Sequence, residues 1–144
     1  ETANWKTYTV ENSAGKLSFR HPPSLNSPPG PDGPQVFTNS SGMDVLSIAQ
    51  QGPLTQSLKD YATRIATGEA GGKALLKQTQ LSVAGQEAYK NVIDMGNSEV
   101  HSQVIFASSK PDPYIGLHMI YNIRAYPSLS EEAFDQILST FRFE

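Results

Sequence analysis

Residues 87–107, with the sequence EAYKNVIDMGNSEVHSQVIFA, decide the fold predicted for this chain. Apolar and polar side chains alternate on both sides of Gly96-Asn97, which is typical of two antiparallel strands joined by a tight turn. Glycine followed by asparagine suits a two-residue type II′ hairpin, because glycine readily takes the positive φ that this turn requires. The stretch therefore predicts a hairpin with strands over 87–95 and 98–107.

The hairpin extends into a four-strand meander, since strand patterns also cover 74–83 and 114–123. The other predicted turns are Ala84-Gly85-Gln86 and the longer SSKPDP segment at 108–113. One pairing register gathers nearly all the large apolar side chains on a single face, and a slip of one residue would scatter them. The predicted cross-strand pairs are Met95–Ser98, Ile93–Val100, Tyr89–Val104, Ala107–Tyr114, Val104–Leu117, Phe106–Ile115, Val100–Tyr121 and Leu81–Tyr89.

This register leaves a second, polar face on the meander, with His101 and His118 as diagonal neighbours about 7–8 Å apart. One hypothesis is a shallow surface that binds a protein or a small ligand. Its candidate binding residues are His101, His118, Gln103 and Lys90. The alternative is an ordinary solvated face, which antiparallel sheets commonly present to water.

A metal site that uses both histidines and Glu99 is a third hypothesis for the same face. Zinc needs at least three protein ligands, with nitrogens at about 2 Å. Nothing in the sequence requires such a site, and we predict neither a resident metal nor another cofactor.

Two amphipathic helices are predicted to pack on the sheet. The first covers 55–67, with Gly68 at the position of a C-terminal cap. The second begins after Ser128, where Glu131 completes a capping box. The apolar stripe of this second helix closes the core of the sheet and comprises Phe134, Ile137, Leu138 and Phe141.

The N-terminal part of the chain adds further strands. Strand patterns cover 5–10 and 16–21, and the segments 35–40 and 43–50 form a hairpin around Ser41-Gly42. Six prolines between 22 and 34 exclude a helix or an inner strand and predict a stiff surface connection. The chain is therefore predicted to be a single α+β domain over 1–144, with an antiparallel sheet and two main helices.

Composition excludes several classes of function. The net charge is −3 and the eleven Lys and Arg residues are scattered, whereas nucleic-acid binding needs a concentrated basic surface. The absence of cysteine excludes disulfides, thiol catalysis and thiolate metal sites. No run of apolar residues is long enough to span a membrane. The opening ETANW is interpreted as a start from which a leader has been removed.

Motifs for catalysis are also absent from the sequence. It contains no Gly-x-Ser-x-Gly elbow, no His-Glu-x-x-His and no glycine-rich nucleotide fingerprint. We therefore predict no catalytic residues and a domain that is not an enzyme. The alternative is a small hydrolase or metal-binding enzyme that uses the face bearing His101 and His118.

Several segments together resemble the PsbP-like domains. These are the opening Trp-x-x-Tyr of Trp5 and Tyr8, the GKLSFRHPPSL segment at 15–25, the middle helix, the meander and the closing ILSTFRF at 137–143. The superfamily includes thylakoid-lumen photosystem accessory proteins, a Ran-binding nuclear-import factor and small exported bacterial lipoproteins. The sequence departs from the family pattern at Leu25, where tryptophan is usual, and through the added prolines of 28–34.

The resemblance implies an α+β sandwich with an accessory or binding role. Its similarity to the lipoproteins further implies an extracytoplasmic location, which is periplasmic, at the cell surface or in the thylakoid lumen. It also implies a membrane tether through a lipid-bearing segment that would precede residue 1. The expected partner is a protein or a small molecule of unknown identity.

Overall fold

The computed structural model describes residues 3–28, 35–69 and 74–144. Within them the chain forms antiparallel strands and two helices, which confirms the predicted α+β class. The helices are α1 (Leu58–Arg64), which continues as a π-helical turn (Ile65–Glu69), and α2 (Glu131–Leu138). The strands are β1 (Lys6–Asn12), β2 (Gly15–His21), β3 (Gln35–Thr38), β4 (Asp44–Pro53), β5 (Ala74–Val83), β6 (Gln86–Gly96), β7 (Glu99–Pro111), β8 (His118–Ala125) and β9 (Arg142–Phe143).

The strands form two sheets, although the sequence predicted one. The larger sheet has the order β3-β4-β8-β7-β6-β5, so the predicted meander makes up four of its six strands. The smaller sheet has the order β1-β2-β9. Its third strand was not predicted, because Arg142 and Phe143 are too few residues to show a period. They pair with Ser18 and Leu17.

Both faces of the six-stranded sheet are covered. Helix α1 and the π-helical turn pack on one face, which we call the α1 face, where Tyr89, Ile105 and Ile120 are buried. Helix α2 and the smaller sheet cover the opposite face, which we call the α2 face, where Val104, Phe106 and Tyr121 belong to the main core. The prediction that one face of the meander is polar and solvated is therefore wrong.

The predicted β6–β7 register is wrong by one residue, because the turn has a different geometry. The observed partners are Ile93 with His101 and Asp94 with Val100. Asn97 and Ser98 have φ of 54° and 64°, so both central residues of the turn are left-handed, as in a type I′ hairpin. Gly96, with φ of 82°, takes the irregular position just before the turn.

The other two predicted registers are also wrong. The β5–β6 hairpin turns on Ala84-Gly85 alone, both with positive φ, and this places Leu81 opposite Ala88. Strand β7 continues to Pro111, well into the predicted turn at 108–113, and this shifts its pairing with β8 by several residues. The observed β7–β8 pairs include Val104–Ile123, Phe106–Tyr121 and Ala107–Ile120.

These corrections change which side chains are buried. Ile93 and Val104 are buried as predicted, but they lie on opposite faces of the sheet. Three residues that the predicted register assigned to the core are exposed, namely Val100, Ile115 and Leu117. The structure therefore distributes the apolar side chains over two cores rather than one.

All four residues of the predicted apolar stripe are buried, three of them in helix α2 and Phe141 in the chain just after it. The N-cap is Ser130, whose hydroxyl accepts a hydrogen bond from Ala133 N at 3.1 Å, so the predicted cap at Ser128 is wrong. The Ser128 hydroxyl instead donates to the Asp44 carbonyl at 2.8 Å. Helix α1 begins at Leu58, and Gly68 lies within the π-helical turn rather than at a cap.

The chain after α2 closes the main core. Phe141 stacks on Phe19 of β2, with ring centroids 4.6 Å apart and planes inclined by 7°. Glu144 then donates its backbone N–H to the Lys16 carbonyl at 3.0 Å, which continues the pairing of β9 with β2. The run of aromatic residues at the end of the sequence thus joins the helix, the small sheet and the core.

Two predicted connections lie partly outside the described residues. In the proline-rich connection, residues 22–28 are described and 29–34 are not, and its Leu25 is buried in the main core. Residues 70–73, in the connection between the first predicted helix and the predicted strand at 74–83, also lie outside the described part. No helix in the described ranges is long and apolar enough to cross a membrane.

His21 is a buried titratable group next to the aromatic rings of Phe19 and Phe37. Burial lowers its pKa below the ordinary value of 6.5, although the hydrogen bond between Nδ1 and the Pro22 carbonyl opposes this shift. The unfolded chain therefore takes up a proton more readily than the folded chain as the pH falls below 6.5.

We expect the free energy of unfolding to decrease as the pH falls from neutral to about 5, and part of this decrease to vanish in His21→Leu. The measurement is urea denaturation of both proteins across this range. The absolute stability of the variant does not enter the comparison, because only the slope against pH is tested. Equal slopes in the two proteins would contradict the prediction.

Candidate functional site

The α1 face carries a buried network of amide side chains. Asn91 Nδ2 lies 2.9 Å from the Ala62 carbonyl and 3.2 Å from Gln103 Oε1, and it donates to both. Gln78 Nε2 donates to Asn91 Oδ1 at 3.0 Å from the edge strand β5. Gln103, a predicted surface residue, is thus fully buried beneath α1, and its Nε2 has no hydrogen-bond partner within the described chain.

Lys90, another predicted surface residue, lies on the α2 face, because it pairs with Val104 whereas Gln103 pairs with Asn91. Its ammonium group donates to the carboxylates of Glu131 and Asp135, each at 3.0 Å. Burial alone would lower the pKa of Lys90, but these two carboxylates outweigh burial and raise it. The same contact lowers the pKa of Glu131. Lys90 thus ties α2 to the sheet and is not available to a ligand.

His101 in β7 and His118 in β8 lie at opposite ends of this strand pair and not at one site. Ser102, next to His101, pairs with Ala125 at the end of β8, whereas His118 is its first residue. At about 3.3 Å per residue, the two positions are separated by roughly 23 Å. The predicted diagonal pair of histidines is therefore wrong, and so is any site that needs both imidazoles.

Each histidine has its own local partners. His118 Nδ1 is 2.7 Å from the Ser108 carbonyl at the irregular end of β7. The buried His101 places Nε2 at 3.1 Å from Glu99 Oε1, and its ring lies 5.1 Å from the ring of Tyr126. No group of three or more His, Asp or Glu side chains in the described ranges is arranged to hold a metal ion.

An open cleft of about 460 Å³ lies at the end of the sheet where His101 is found. Three separate segments meet there: the β3–β4 turn, the start of β7 and the chain that follows β8. Its lining residues are Gly42, Met43, Asp44, Glu99, Tyr126, Pro127 and Ser128. His101 lies behind this lining, because both of its side-chain neighbours, Glu99 and Tyr126, are part of it.

The cleft combines apolar surface with two carboxylates. Met43 is 56% exposed, and it lines the cleft together with Tyr126 and Pro127. Asp44 and Glu99 supply the negative charge, and the lining residues that the structure describes include neither lysine nor arginine. Because charge and apolar surface occur together, the cleft can bind a ligand that carries both a cation and a hydrocarbon surface.

A second cleft, of about 300 Å³, adjoins the first across Tyr126 and Pro127. It extends over the α2 face toward Val100, Leu129 and Phe134. Its one carboxylate, Glu131, is already bound to Lys90. We call the two clefts together the groove, and its acidic part is formed by Asp44 and Glu99 of the first cleft.

Sequence reasoning did not find this groove. Met43, Asp44 and Tyr126 belong to elements that are far apart in the chain, and no period or motif connects them. The available signal was an apolar residue, Met43, directly after a turn glycine, where a polar residue is usual. None of the four predicted binding residues is among the lining residues of the groove, although His101 and Lys90 contact the lining through Glu99 and Glu131.

A scan against protein-family models finds no match to this chain, and a search of curated proteins finds none. Solved structures do share the fold. A protein from Bacteroides thetaiotaomicron VPI-5482 superposes with a TM-score of 0.53 at 9% identity, over 96% of this chain and 48% of its own. This chain therefore spans about half the length of that protein.

A mutant of the protein Mog1 superposes with a TM-score of 0.54 at 12% identity, and the match covers 96% of both chains. At these identities the likeness concerns the fold alone. The likeness supports a fold in which helices cover a sheet. The function must therefore be argued from the groove.

Proposed function

We propose that this domain is a non-enzymatic recognition domain that binds a basic, partly apolar segment of a partner protein in the cleft at the end of the sheet. The observation that carries the proposal is the exposed Met43 in one lining with two carboxylates, Asp44 and Glu99, where the described residues include no lysine or arginine. A lysine or arginine of the partner supplies the missing charge.

The chemistry of the lining favours such a segment over a small anion or a purely apolar ligand. The long stem of an arginine or lysine covers apolar surface while its head remains polar, which suits Met43 and Pro127 next to the carboxylates. The ring of Tyr126 adds a face for the cation. Phosphates and other anions are repelled by Asp44 and Glu99.

The enzymatic alternative finds no support in this geometry. It needs His101 and His118 within reach of one substrate, and the β7–β8 register keeps them at opposite ends of the strand. General acid–base catalysis requires its groups within about 3 Å of the reacting proton. The fold class agrees with a PsbP-like domain. Membership of that superfamily, the extracytoplasmic location and the lipid tether remain predictions from the sequence.

We expect a short basic peptide such as Ala-Arg-Leu-Lys-Phe-Ala, capped at both ends, to shift the backbone amide NMR signals of Met43, Asp44, Glu99 and Tyr126. The double variant Asp44→Asn/Glu99→Gln should weaken this binding about 5- to 10-fold, because each exposed ion pair contributes up to about 1 kcal/mol. Added salt should also weaken binding of the basic peptide to the wild-type protein.

The matched control is Glu11→Gln, which removes an exposed carboxylate from β1, outside the cleft. Its affinity for the peptide should equal that of the wild type. Equal binding of the charge-reversed peptide Ala-Glu-Leu-Glu-Phe-Ala, or an equal loss in Glu11→Gln, would contradict the proposed site.

A further inference from the structure

The loop between β7 and β8 exposes three large apolar side chains at the opposite end of the sheet from the cleft. Tyr114 is 88% exposed, Ile115 is 51% exposed and Leu117 is 38% exposed. The other exposed large apolar residues in the described ranges, Met43, Leu76 and Val100, come from different strands and turns. The loop Asp112–Leu117, which we call the apolar tip, is thus a concentrated hydrophobic feature.

Asp112, which is itself buried, makes hydrogen bonds across the apolar tip. Its carboxylate accepts hydrogen bonds from the Ser13 hydroxyl and from the backbone N–H groups of Tyr114 and Ile115. The Asp112 carbonyl accepts from Gly116 N at 2.7 Å, and Asp112 N donates to the Leu117 carbonyl at 2.8 Å. The apolar side chains are therefore presented on a fixed frame.

These hydrogen bonds also lower the cost of moving the loop out of water. A backbone N–H group without a partner is costly in an apolar medium. Here the N–H groups of Asp112, Tyr114, Ile115 and Gly116 all donate within the loop. Pro113 has no N–H to satisfy, so Leu117 carries the one backbone N–H of the loop for which these hydrogen bonds do not account.

Size and charge distinguish between a protein partner and a lipid bilayer as the surface that the apolar tip contacts. Stable protein interfaces bury about 800 Å² on each partner and carry hydrogen bonds around their rim. Three side chains on a narrow hairpin fall well short of this area, and four of the five backbone N–H groups of the loop already donate within it. A bilayer surface requires neither a minimum area nor a matching rim.

The charge of the segment also fits a lipid surface. Lys110, two residues before the apolar tip, is an exposed charged residue. The carboxylate of Asp112 is buried within the loop. Tyrosine favours the boundary between lipid headgroups and acyl chains, and a lysine beside it reaches the phosphates. The pattern of one tyrosine, two aliphatic residues and one flanking lysine therefore matches the layers of a bilayer interface.

We propose that the apolar tip inserts into the interfacial region of a lipid bilayer. Ile115 and Leu117 enter the acyl boundary, Tyr114 lies at headgroup level and Lys110 faces the phosphates. Strands β7 and β8 then hold the cleft away from the bilayer, roughly 23 Å along β8 from the apolar tip. The domain would present the cleft to partners in solution. The inference does not depend on what the cleft binds.

The test uses tryptophan fluorescence in the background Trp5→Phe, which removes the single natural tryptophan. In this background Tyr114→Trp reports from the tip, and Leu76→Trp is the matched control, because Leu76 is also exposed but lies on the edge strand β5. Phosphatidylcholine vesicles should shift the emission of the tip reporter to shorter wavelengths. Brominated acyl chains should quench it, and the control should not respond.

The contribution of the aliphatic residues is tested by Ile115→Ser/Leu117→Ser together with the tip reporter. The vesicle partition coefficient should fall at least about 10-fold, because two buried aliphatic side chains are lost. The absence of a vesicle-induced shift in the tip reporter, or an equal shift in the Leu76→Trp control, would overturn the proposal. A shift that depends on protein concentration without vesicles would instead show contact with a second copy, which also overturns it.

Discussion

Removal of residues 129–144 is expected to give a chain that no longer folds cooperatively. The deletion takes away the apolar stripe of α2 and the chain after it, and Phe134, Ile137, Leu138 and Phe141 are all buried in the main core. Burial of each such side chain contributes about 1.5–3 kcal/mol, or about 6–12 kcal/mol for the four. A domain has a net stability of about 5–15 kcal/mol, so the loss is comparable to the whole.

The measurement is urea denaturation followed by near- and far-ultraviolet circular dichroism. Phe134→Ala serves as an intermediate step and should cost about 3–5 kcal/mol without abolishing the fold. Gln136→Ala, on the exposed face of the same helix, should remain within about 0.5 kcal/mol of the wild type. A soluble truncated chain with a cooperative transition would show that α2 is not needed to complete the core.

Asn91→Leu is expected to lower the free energy of unfolding by about 2–5 kcal/mol. The substitution leaves the Ala62 carbonyl and Gln103 Oε1 without their shared donor, and both residues are fully buried. A buried polar group that loses its partner costs about 1–3 kcal/mol. The side chain of leucine has a similar size, so the effect reports the lost hydrogen bonds rather than a cavity.

A second substitution separates these contributions. The double variant Asn91→Leu/Gln103→Leu should be more stable than Asn91→Leu alone by about 1–3 kcal/mol, because it removes one of the two unpaired groups. Gln103→Leu by itself should cost little, since Asn91 keeps its bond to Ala62. If Asn91→Leu were neutral, the network would carry no stability and its role beneath α1 would have to be reconsidered.

The groove and the apolar tip lie at opposite ends of the six-stranded sheet. The first cleft of the groove is built from the β3–β4 turn, the start of β7 and the chain after β8. The apolar tip is the β7–β8 connection. Buried core positions between them provide a rigid separation. The two surfaces can therefore be tested and altered independently, which the variants at Asp44 and Tyr114 exploit.

Local patterns predicted the elements of this fold well. The stripe of Phe134, Ile137, Leu138 and Phe141 is buried as expected, because apolar residues at helical spacing form one stripe that packs against the core. The strands of the meander were also placed correctly to within a few residues. These features depend on residues that are close in sequence, and the necessary information is present there.

The registers within the meander were not predicted correctly, because each of its turns admitted more than one geometry. Gly96-Asn97 fits a type II′ turn, yet the structure turns on Asn97-Ser98, since asparagine and serine also adopt positive φ here. A shift of one residue moves every side chain of a strand to the other face. Gln103 and Lys90 were therefore assigned to one face and in fact lie on two.

By itself, the sequence determined the class of the fold, the positions of most strands and the buried stripe of α2, because these follow from short-range periods of apolar residues. Only the tertiary structure decided that the sheet is covered on both faces and that His101 and His118 lie far apart. It also brought Met43, Asp44, Glu99 and Tyr126 together. The physical reason is that register and packing are settled by contacts between distant segments, where the free energy of burying both faces outweighs the preference of any single turn.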